Sequence, residues 1–165
     1  MALEELYRDT QPRMHAFFYI RTGSREAAED LTQEVFYEAV KGYRSFTGQS
    51  TVRTWLFGIA KNKLSNYYRS KKSKENLALK LAGEPAAESL TPEKQVIQSE
   101  QQQRLLAQID RLDDLSKEIV TLRMYAELSF KEIGQLTGAA ENSVRVRFHR
   151  AKLQLHKELE GYYGP

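Results

Sequence analysis

The chain has 165 residues, of which 41% are hydrophobic and 28% charged, a composition typical of globular proteins and not of disordered ones. It contains no cysteine, which excludes a disulfide framework and a thiolate metal site. No apolar run approaches the roughly 20 residues of a membrane-spanning helix, and the N-terminal MALEELYRDT is acidic and amphipathic, unlike a signal peptide. We therefore expect a cytoplasmic protein with one ordinary domain or two small helical ones.

Charge is distributed unevenly along the chain. Residues 1–40 and residues 75–120 each have a net charge of −4, whereas residues 41–74 have nine basic residues and no acidic one. The last segment, residues 121–165, has a net charge of +2, and within it Asn142–Lys157 contains five basic residues and no acidic one. Two basic segments separated by acidic ones predict two nucleic-acid contacts on one chain.

The first forty residues predict two amphipathic helices. Apolar residues recur at helical spacing over residues 2–20, and Ser24 is suited to cap a second helix from about Arg25 to Lys41. The predicted buried stripe of that helix is Leu31, Val35, Phe36, Ala39 and Val40. Its other side carries Asp30, Gln33, Glu34 and Glu38. Such an acidic face is most often only solvated, and the alternative is docking to a basic protein surface.

The basic segment 41–74 also contains six aromatic residues. A short polar loop precedes a helix with the predicted inner face Val52, Trp55, Leu56, Ile59, Ala60 and Tyr67. The residues predicted to lie largely outside that face are Arg53, Phe57, Lys61, Asn62, Ser65 and Arg69. Basic side chains neutralise phosphates and aromatic rings stack on unpaired bases, so the segment favours single-stranded nucleic acid. The alternative is a core helix with solvated lysines.

Helical periodicity fades from Ser73 to about Gln95, a stretch that includes Gly83, Pro85 and Pro92. This pattern predicts a flexible linker with at most a transient helical turn at Leu77–Leu81. The predicted organisation is a domain over residues 1–72, a linker over 73–95 and a second domain over 96–165. The expected fold class is all-α, with two small helical domains joined by the flexible linker.

The second half of the chain predicts helices throughout. The predicted helices are Val96–Leu112, Leu115–Tyr125, Phe130–Leu136 and a longer one from near Glu141. Ser129 and Glu132 have the spacing of a capping box, and Gly138 ends the short helix. The inner stripe of the last helix is Val144, Phe148, Ala151, Leu155 and Leu159. A short capped helix, a glycine turn and a longer basic helix are typical of a helix-turn-helix motif that enters a major groove.

Two blocks of sequence resemble a known family. AEDLTQEVFYEAV at 28–40, with STVRTWLFGIAKNKLSNYYRSKK at 50–72, resembles region 2 of bacterial RNA polymerase sigma factors of the sigma-70 family. LSKEIVTLRMYAELSFKEIGQLTGAAENSVRVRFHRAKLQL at 115–155 resembles their region 4. The two blocks follow each other without regions 1 and 3, which is the layout of the extracytoplasmic-function (ECF) group.

The resemblance implies a role for each block. The DLTQEVF motif implies docking on the clamp helices of the polymerase β′ subunit, and region 4 implies contact with the β flap. The implied docking residues are Asp30, Leu31, Gln33, Glu34 and Phe36. By the same resemblance, the loop Ser45–Thr51 captures a flipped −10 base, and the following helix holds and melts the −10 element. The implied −10 residues are Phe46, Thr47, Gly48, Gln49, Ser50, Arg53, Lys61, Asn62, Asn66 and Arg69. Reading of the −35 element as duplex is implied for Ser143, Arg145, Val146, Arg147, His149 and Arg150.

Some positions depart from the family pattern. Asp113 stands where a proline is usual, and Ala140 replaces the common Ser or Thr cap of the recognition helix. Losing that cap costs about 1 kcal/mol unless Asn142 or Ser143 compensates. Val146 replaces a frequent Ser or Thr and offers a methyl group that could meet a thymine.

The expected function is that of a transcription initiation factor that binds core RNA polymerase and promoter DNA. The resemblance also implies an anti-sigma factor as a partner, often anchored in the membrane. An autonomous helix-turn-helix repressor or activator is the alternative, but it leaves segment 41–74 unexplained. His15, His149 and His156 are scattered and no Gly-rich phosphate loop is present, so no enzyme, metal site, cofactor or small-molecule substrate is expected.

Overall fold

The computed structural model of the chain describes residues 3–82 and 99–163. These two ranges contain α-helices, one short 3-10 helix at Tyr43–Ser45 between α2 and α3, and no strand. The α-helices are α1 (Leu3–Thr22), α2 (Arg25–Gly42), α3 (Val52–Ala82), α4 (Glu100–Asp110), α5 (Asp114–Met124), α6 (Phe130–Thr137) and α7 (Glu141–Tyr163). The predicted all-α fold class is confirmed.

Helices α1–α3 form the first lobe, which is built around large apolar side chains. Met14, Phe17 and Phe18 of α1 are buried against Leu56 and Phe57 of α3. The rings of Phe17 and Phe57 meet edge to face with centroids 5.7 Å apart. As predicted, Ser24 caps α2, because its hydroxyl accepts a hydrogen bond from the amide of Ala27 at 3.1 Å.

Helix α3 is longer than the sequence pattern predicted. It continues to Ala82, so residues 73–82, which were expected to begin the linker, are helical. These residues, SKENLALKLA, contain no proline or glycine and are rich in strong helix formers, which explains the extension. Residues 83–95 of the predicted linker lie outside the described residues. The predicted start of the next helix at Val96 lies there too, and α4 begins at Glu100 with Ser99 as its N-cap.

Two residues of the first lobe lie on the side opposite to the one predicted. Val40 was placed in the buried stripe of α2 but is 62% exposed. Phe57 was placed outside the inner face of α3 but is fully buried. Helix α3 is covered by α1 and α2 on one side and by α6 on another, so a wider part of its surface is core than a single amphipathic stripe allows.

Helices α4–α7 form the second lobe, which contains the predicted helix-turn-helix motif in α6 and α7. The capping box is present: the Ser129 hydroxyl accepts from the Glu132 amide at 3.1 Å, and the Glu132 carboxylate accepts from the Ser129 amide at 2.9 Å. Gly138 ends α6 with a φ of 77°, a conformation that favours glycine. Of the predicted stripe of α7, Val144, Phe148, Ala151 and Leu155 are buried, and Leu159 is only half-buried.

The two lobes pack against each other. Helix α3 contacts α6, and α1 contacts α5. Gly58 of α3 faces Leu136 of α6 so closely that a Cβ atom on Gly58 would lie 3.5 Å from the Leu136 Cδ2 atom. The buried residues of both lobes form one continuous hydrophobic core. In this structure the lobes are therefore held together by direct contact and not only through the connecting chain.

Candidate nucleic-acid interface

The loop between α2 and α3 is ordered by local contacts. The Ser45 hydroxyl donates to the carbonyl of Gly42 at 2.8 Å, and Gly48 turns the chain with a φ of 75°. Phe46 is half-buried because its ring packs on Trp55, with centroids 5.2 Å apart. Thr47, Gly48 and Gln49 are exposed and Ser50 is half-buried. The loop thus presents polar groups beside an aromatic pair, an arrangement suited to an unstacked base.

Of the residues assigned to the outer face of α3, some are exposed and others are held by ion pairs or hydrogen bonds. Asn62, Asn66 and Arg69 are exposed. Arg53 is paired with Asp9 of α1 at 3.3 Å. The Nζ atom of Lys61 donates to the carbonyl of Leu136 at 2.7 Å and lies 3.0 Å from a carboxylate oxygen of Glu118. Both groups that hold Lys61 belong to the second lobe, which sequence reasoning did not anticipate.

Glu132 joins the start of α3 to the start of α6. One of its oxygens accepts the Ser129 amide of the capping box, and the other accepts the hydroxyls of Thr51 at 2.8 Å and Thr54 at 2.7 Å. Partial burial by itself would raise the pKa of the Glu132 carboxyl. These hydrogen bonds outweigh it and lower the pKa to about 2. The capping role was predictable from sequence, but the contact with α3 was not.

The acidic side of α2 is a second candidate surface. Asp30, Gln33 and Glu34 are exposed side by side. Leu31 is only 5% exposed, so it anchors the helix in the core and does not present itself to a partner. Glu38, predicted on the same face, pairs with Lys63 of α3 at 2.7 Å. The hydrogen bond that Lys63 donates to Glu38 raises the pKa of the Lys63 ammonium group.

An apolar groove of ≈ 670 Å³ lies between α1 and α2, beside the acidic face. Phe36 is half-buried there, and its ring meets Tyr7 of α1 edge to face at 4.7 Å. The apolar side chains of the groove include Leu3, Leu6, Tyr7, Phe36, Ala39 and Val40. Its position explains the exposure of Val40, which lines a surface and does not fill the core.

Helix α7 separates its buried and exposed residues sharply. The predicted residues Ser143, Arg145, Val146, Arg147, His149 and Arg150 are all exposed. Arg145 lies 3.7 Å from Glu141 one turn earlier, and its guanidinium lies over the ring of Phe130. Val146 is 40% exposed. All six residues therefore lie on the solvent-exposed surface of one helix.

Arg147 occupies the flank of α7 and contacts the start of α5. Its guanidinium lies 3.4 Å from Asp113 and 3.5 Å from the Ser116 hydroxyl. Asp113 caps α5, since its carboxylate accepts from the Ser116 amide at 2.8 Å, and this bond lowers the pKa of Asp113. Asp113, which stands where a proline was expected from the family resemblance, thus caps α5 with its side chain.

A polar cleft of ≈ 470 Å³ lies between α5 and α7. Arg111, Arg147 and Arg150 all line it, together with Gln154. The Asp113 carboxylate lines it too and pairs with Arg147, so the guanidinium groups of Arg111 and Arg150 are the ones suited to a phosphate group. Neither Arg111 nor Gln154 was predicted, because Arg111 lies outside the basic run at the end of α4, and only the packing of α4 on α7 brings it there.

Within residues 3–82 and 99–163, no group of three or more His, Asp or Glu side chains is placed to hold a metal ion. In the same part of the chain no helix combines the length and the apolar character needed to cross a membrane.

Comparison with known proteins identifies the family. The family model "Sigma-70 region 2" matches residues 6–74, which fall in the first lobe, and "Sigma-70, region 4" matches residues 102–155, which fall in the second. The RNA polymerase sigma factor YlaC of Bacillus subtilis (strain 168) is 31% identical over 164 residues, with 96% of this chain and 92% of the relative covered. The chain belongs to the sigma-70 family of RNA polymerase sigma factors.

Further relatives place this sigma factor in the ECF group, as the sequence motifs predicted. The ECF RNA polymerase sigma factor SigW of Bacillus subtilis (strain 168) is 29% identical, with 94% of this chain and 86% of the relative covered. The ECF RNA polymerase sigma factor SigM of the same organism is 28% identical, with 94% and 93% covered.

Solved structures share the fold of this sigma factor. The sigma factor RpoE, in complex with the anti-sigma factor NepR from Bartonella quintana, matches with a TM-score of 0.71 at 22% identity, covering 95% of this chain and 96% of that one. CnrH, in complex with the cytosolic domain of CnrY, matches with a TM-score of 0.68 at 21% identity, covering 96% and 88%.

Proposed function

We propose that this chain binds core RNA polymerase and directs it to specific promoters, with α7 reading the −35 element as duplex and the α2–α3 loop and α3 melting and capturing the −10 element. The observation that carries the proposal is the presence of two different basic surfaces in the two matched family regions. One combines a polar loop with aromatic rings, and the other is an exposed recognition helix. The first suits single strand and the second suits duplex.

For the −35 element we assign base contacts to Arg145, Val146, His149 and Arg150. These side chains are exposed along α7, where a recognition helix presents its groove-facing residues. Ser143 and Arg147 lie at the edges of this surface, and Arg147 is oriented by Asp113. The cleft with Arg111 and Arg150 supports an additional contact to the phosphate backbone beside the groove.

For the −10 element we assign capture of a flipped base to the loop residues Phe46, Thr47, Gly48, Gln49 and Ser50. Trapping an unstacked base costs a few kcal/mol, which stacking and phosphate contacts can offset. We assign the separated strand to the helix residues Arg53, Lys61, Asn62, Asn66 and Arg69, of which Asn62, Asn66 and Arg69 are exposed and offer amide groups and positive charge.

For core polymerase we assign docking on the β′ clamp helices to Asp30, Gln33, Glu34 and Phe36, with Leu31 holding α2 in place from the core. An exposed acidic face next to an apolar groove supports this role, because it offers both charge complementarity and buried apolar area. Region 4 is assigned the contact with the β flap.

The protein acts in this proposal without catalysing a reaction of its own and without a cofactor or small-molecule substrate. Two relatives of the same fold are held in complexes, RpoE with the anti-sigma factor NepR and CnrH with a domain of CnrY. We accordingly include an anti-sigma factor among the proposed partners, with core polymerase and promoter DNA.

The test is run-off transcription with core RNA polymerase on a library of genomic fragments, with and without this chain. Discrete new transcripts that share a spaced pair of promoter elements would support the proposal. A pull-down with core polymerase is the companion measurement. Tight binding to duplex DNA together with no binding to core would refute the proposal and favour an autonomous helix-turn-helix regulator.

A further inference from the structure

The ring of Phe130 lies where side chains from three helices of the second lobe meet. Phe130 is the first residue of α6, directly after the N-cap Ser129, and its ring packs on Phe148 of α7 with centroids 5.5 Å apart. Phe148 is 8% exposed and belongs to the core, whereas Phe130 is only half-buried. The Phe130 ring is therefore anchored in the core and still partly open to solvent.

Arg123 of α5 also holds this ring. Its guanidinium lies over the Phe130 ring, 4.2 Å from the centroid. The same guanidinium donates to the carbonyl of Leu128 at 3.0 Å, and the Arg123 side chain is half-buried. Because Arg123 is tied to the backbone and Phe148 to the core, the Phe130 ring offers a fixed surface to other side chains.

Arg145 of α7, which is assigned above to a base of the −35 element, uses that surface. Its guanidinium lies 5.5 Å from the centroid of the Phe130 ring, within the range of a cation–π contact. Its side chain is 49% exposed, so it stays accessible to DNA.

Glu141 is a second neighbour of Arg145, but of a different kind. Its carboxylate lies 3.7 Å from the Arg145 guanidinium, and an exposed pair at this spacing contributes little. A base that accepts hydrogen bonds from Arg145 must compete with this carboxylate for the N–H groups. The Phe130 ring does not compete for them, because a guanidinium that stacks on an aromatic face keeps its N–H groups free to donate.

We infer that Phe130 is a positioning residue for −35 recognition, whose ring restrains the Arg145 guanidinium before DNA arrives. This inference rests on the proposed function, since it takes Arg145 as a base contact. An exposed arginine populates many rotamers, and ordering it on binding costs free energy. With part of that order already present in the free protein, more of the energy of the base contact is left for affinity.

The inference separates a positioning role of Phe130 from a merely structural one. If the ring acts through Arg145, its effect is seen on a duplex with the correct −35 element and disappears when Arg145 is removed. A ring that only stabilises α6 would affect every duplex alike, with or without Arg145.

The variants form a double-mutant cycle in the full chain. Phe130→Leu removes the ring and keeps an apolar side chain against Phe148, while Phe130→Tyr keeps the ring and is the matched control. Arg145→Ala and the double variant Phe130→Leu with Arg145→Ala complete the cycle. Circular dichroism melting verifies that each variant is folded, and Phe130→Met, which fills more of the same space, replaces Phe130→Leu if the latter does not fold.

The mobility of Arg145 is measured first, without DNA, by ¹⁵N relaxation of its Nε–H group. The signal is assigned by its loss in Arg145→Ala. The wild type and Phe130→Tyr should give similar order parameters, and Phe130→Leu should give a clearly lower one. An unchanged order parameter in Phe130→Leu would overturn the inference.

DNA binding is measured second, by fluorescence anisotropy with two labelled duplexes. One contains the −35 element of a promoter found by run-off transcription, and in the other this element is scrambled. Phe130→Leu should bind the first duplex about two- to fivefold more weakly than the wild type and Phe130→Tyr, the change expected from losing one exposed cation–π contact. Its affinity for the scrambled duplex should not change.

The cycle gives the deciding comparison. In the Arg145→Ala background, Phe130→Leu should cause no further loss on the first duplex. The same loss in both backgrounds, or equal losses on both duplexes, would overturn the inference. The proposed function fails separately, if the wild type directs no transcription with core polymerase, and the order parameters of Arg145 do not depend on that result.

Discussion

The Glu132 carboxylate and the Thr54 hydroxyl are 2.7 Å apart, although 78 positions separate the two residues in the chain. The same carboxylate caps α6 through the Ser129 amide. One side chain therefore connects the fold of the helix-turn-helix motif to the position of the second lobe on α3.

Replacing Glu132 by alanine should destabilise the protein more than removing either contact alone. We expect Glu132→Ala to lower the free energy of unfolding by about 2–3 kcal/mol, since it loses half of a capping box and a charged hydrogen-bond acceptor. Thr54→Val should cost only about 1 kcal/mol, because Thr51 still donates to Glu132. Urea denaturation monitored by circular dichroism measures both, and equal losses would contradict the double role of Glu132.

The same carboxylate gives a stability contribution that depends on pH. Its pKa is lowered from 4.5 to about 2 in the folded protein, so the unfolded chain binds a proton more readily. The contribution is therefore fully present above pH 4.5 and is lost as the pH falls toward 2. The stability difference between the wild type and Glu132→Gln should be constant from pH 7 to about pH 5 and should shrink at lower pH. Urea titrations at several pH values provide the measurement, and a difference that persists undiminished at pH 3 would disagree with this assignment.

Gly134 should be intolerant of a side chain even though it lies inside α6. Alanine normally stabilises a helix relative to glycine by about 0.5–1 kcal/mol. A Cβ atom on Gly134, however, would lie 2.8 Å from the carbonyl oxygen of Ala139, which is backbone and cannot easily move. We expect Gly134→Ala to cost about 1–3 kcal/mol from overpacking.

The measurement for Gly134→Ala is thermal unfolding, and Lys131→Ala on the exposed side of the same helix serves as its control. The control should change the melting temperature little. A stabilised Gly134→Ala variant would mean that the turn between α6 and α7 relaxes to make room.

Substitutions on α7 should affect promoter binding according to what each side chain faces. Arg145→Ala and Arg150→Ala should each cost about 1–3 kcal/mol on a cognate −35 element if the arginines contact bases. They should cost much less on a duplex in which that element is scrambled. Arg147→Ala should weaken both duplexes alike, because Arg147 is oriented by Asp113 toward the backbone side of the helix.

Fluorescence anisotropy with the cognate and the scrambled duplex distinguishes these outcomes. Lys152→Ala, which changes an exposed lysine two positions after the last assigned residue, is the control for charge. If Arg145→Ala lowered the affinity for both duplexes equally, Arg145 would contact phosphates and not bases.

Substitutions on the acidic face of α2 should affect binding to polymerase without affecting the fold. Gln33 and Glu34 are exposed, so replacing both with alanine should leave the melting temperature within about 2 °C of the wild type. Binding to core polymerase should fall at least about tenfold if the face docks as proposed. Competition with a second sigma factor for core measures this, with Glu158→Ala on α7 as a control of equal charge. Undiminished competition by the α2 variant would exclude this face.

Local signals in the sequence were sufficient to predict the helix-turn-helix motif. The capping box of Ser129 and Glu132, the glycine at 138 and the apolar stripe of α7 are all encoded within a few residues, and each is present in the structure. The exposure of Arg145 and Arg150 follows from that stripe, since residues off the stripe must face outward.

The contacts of α3 with helices distant in the chain could not be predicted from local signals in the sequence. Even within the first lobe, Phe57 departs from the stripe of α3 because it packs on Phe17 of α1, and periodicity within α3 carries no information about that neighbour. The same holds for Lys61 and Thr54, whose partners lie 75 and 78 positions away. Their patterns are those of surface residues, and only the packing of the second lobe on α3 gives them these distant partners.

The extension of α3 to Ala82 limits how far the two lobes can move apart. Its 31 residues make a rod of about 46 Å, and the last turns expose Leu77 and Leu81 to solvent. Residues 73–82 span about 15 Å as helix, where an extended chain of the same length would reach about 35 Å. As a helix, this part of the chain is therefore shorter and more rigid. The direction of α3 determines the point from which the connecting segment starts toward the second lobe. We therefore expect the protein to discriminate promoters by the distance between their −35 and −10 elements as well as by their base sequence.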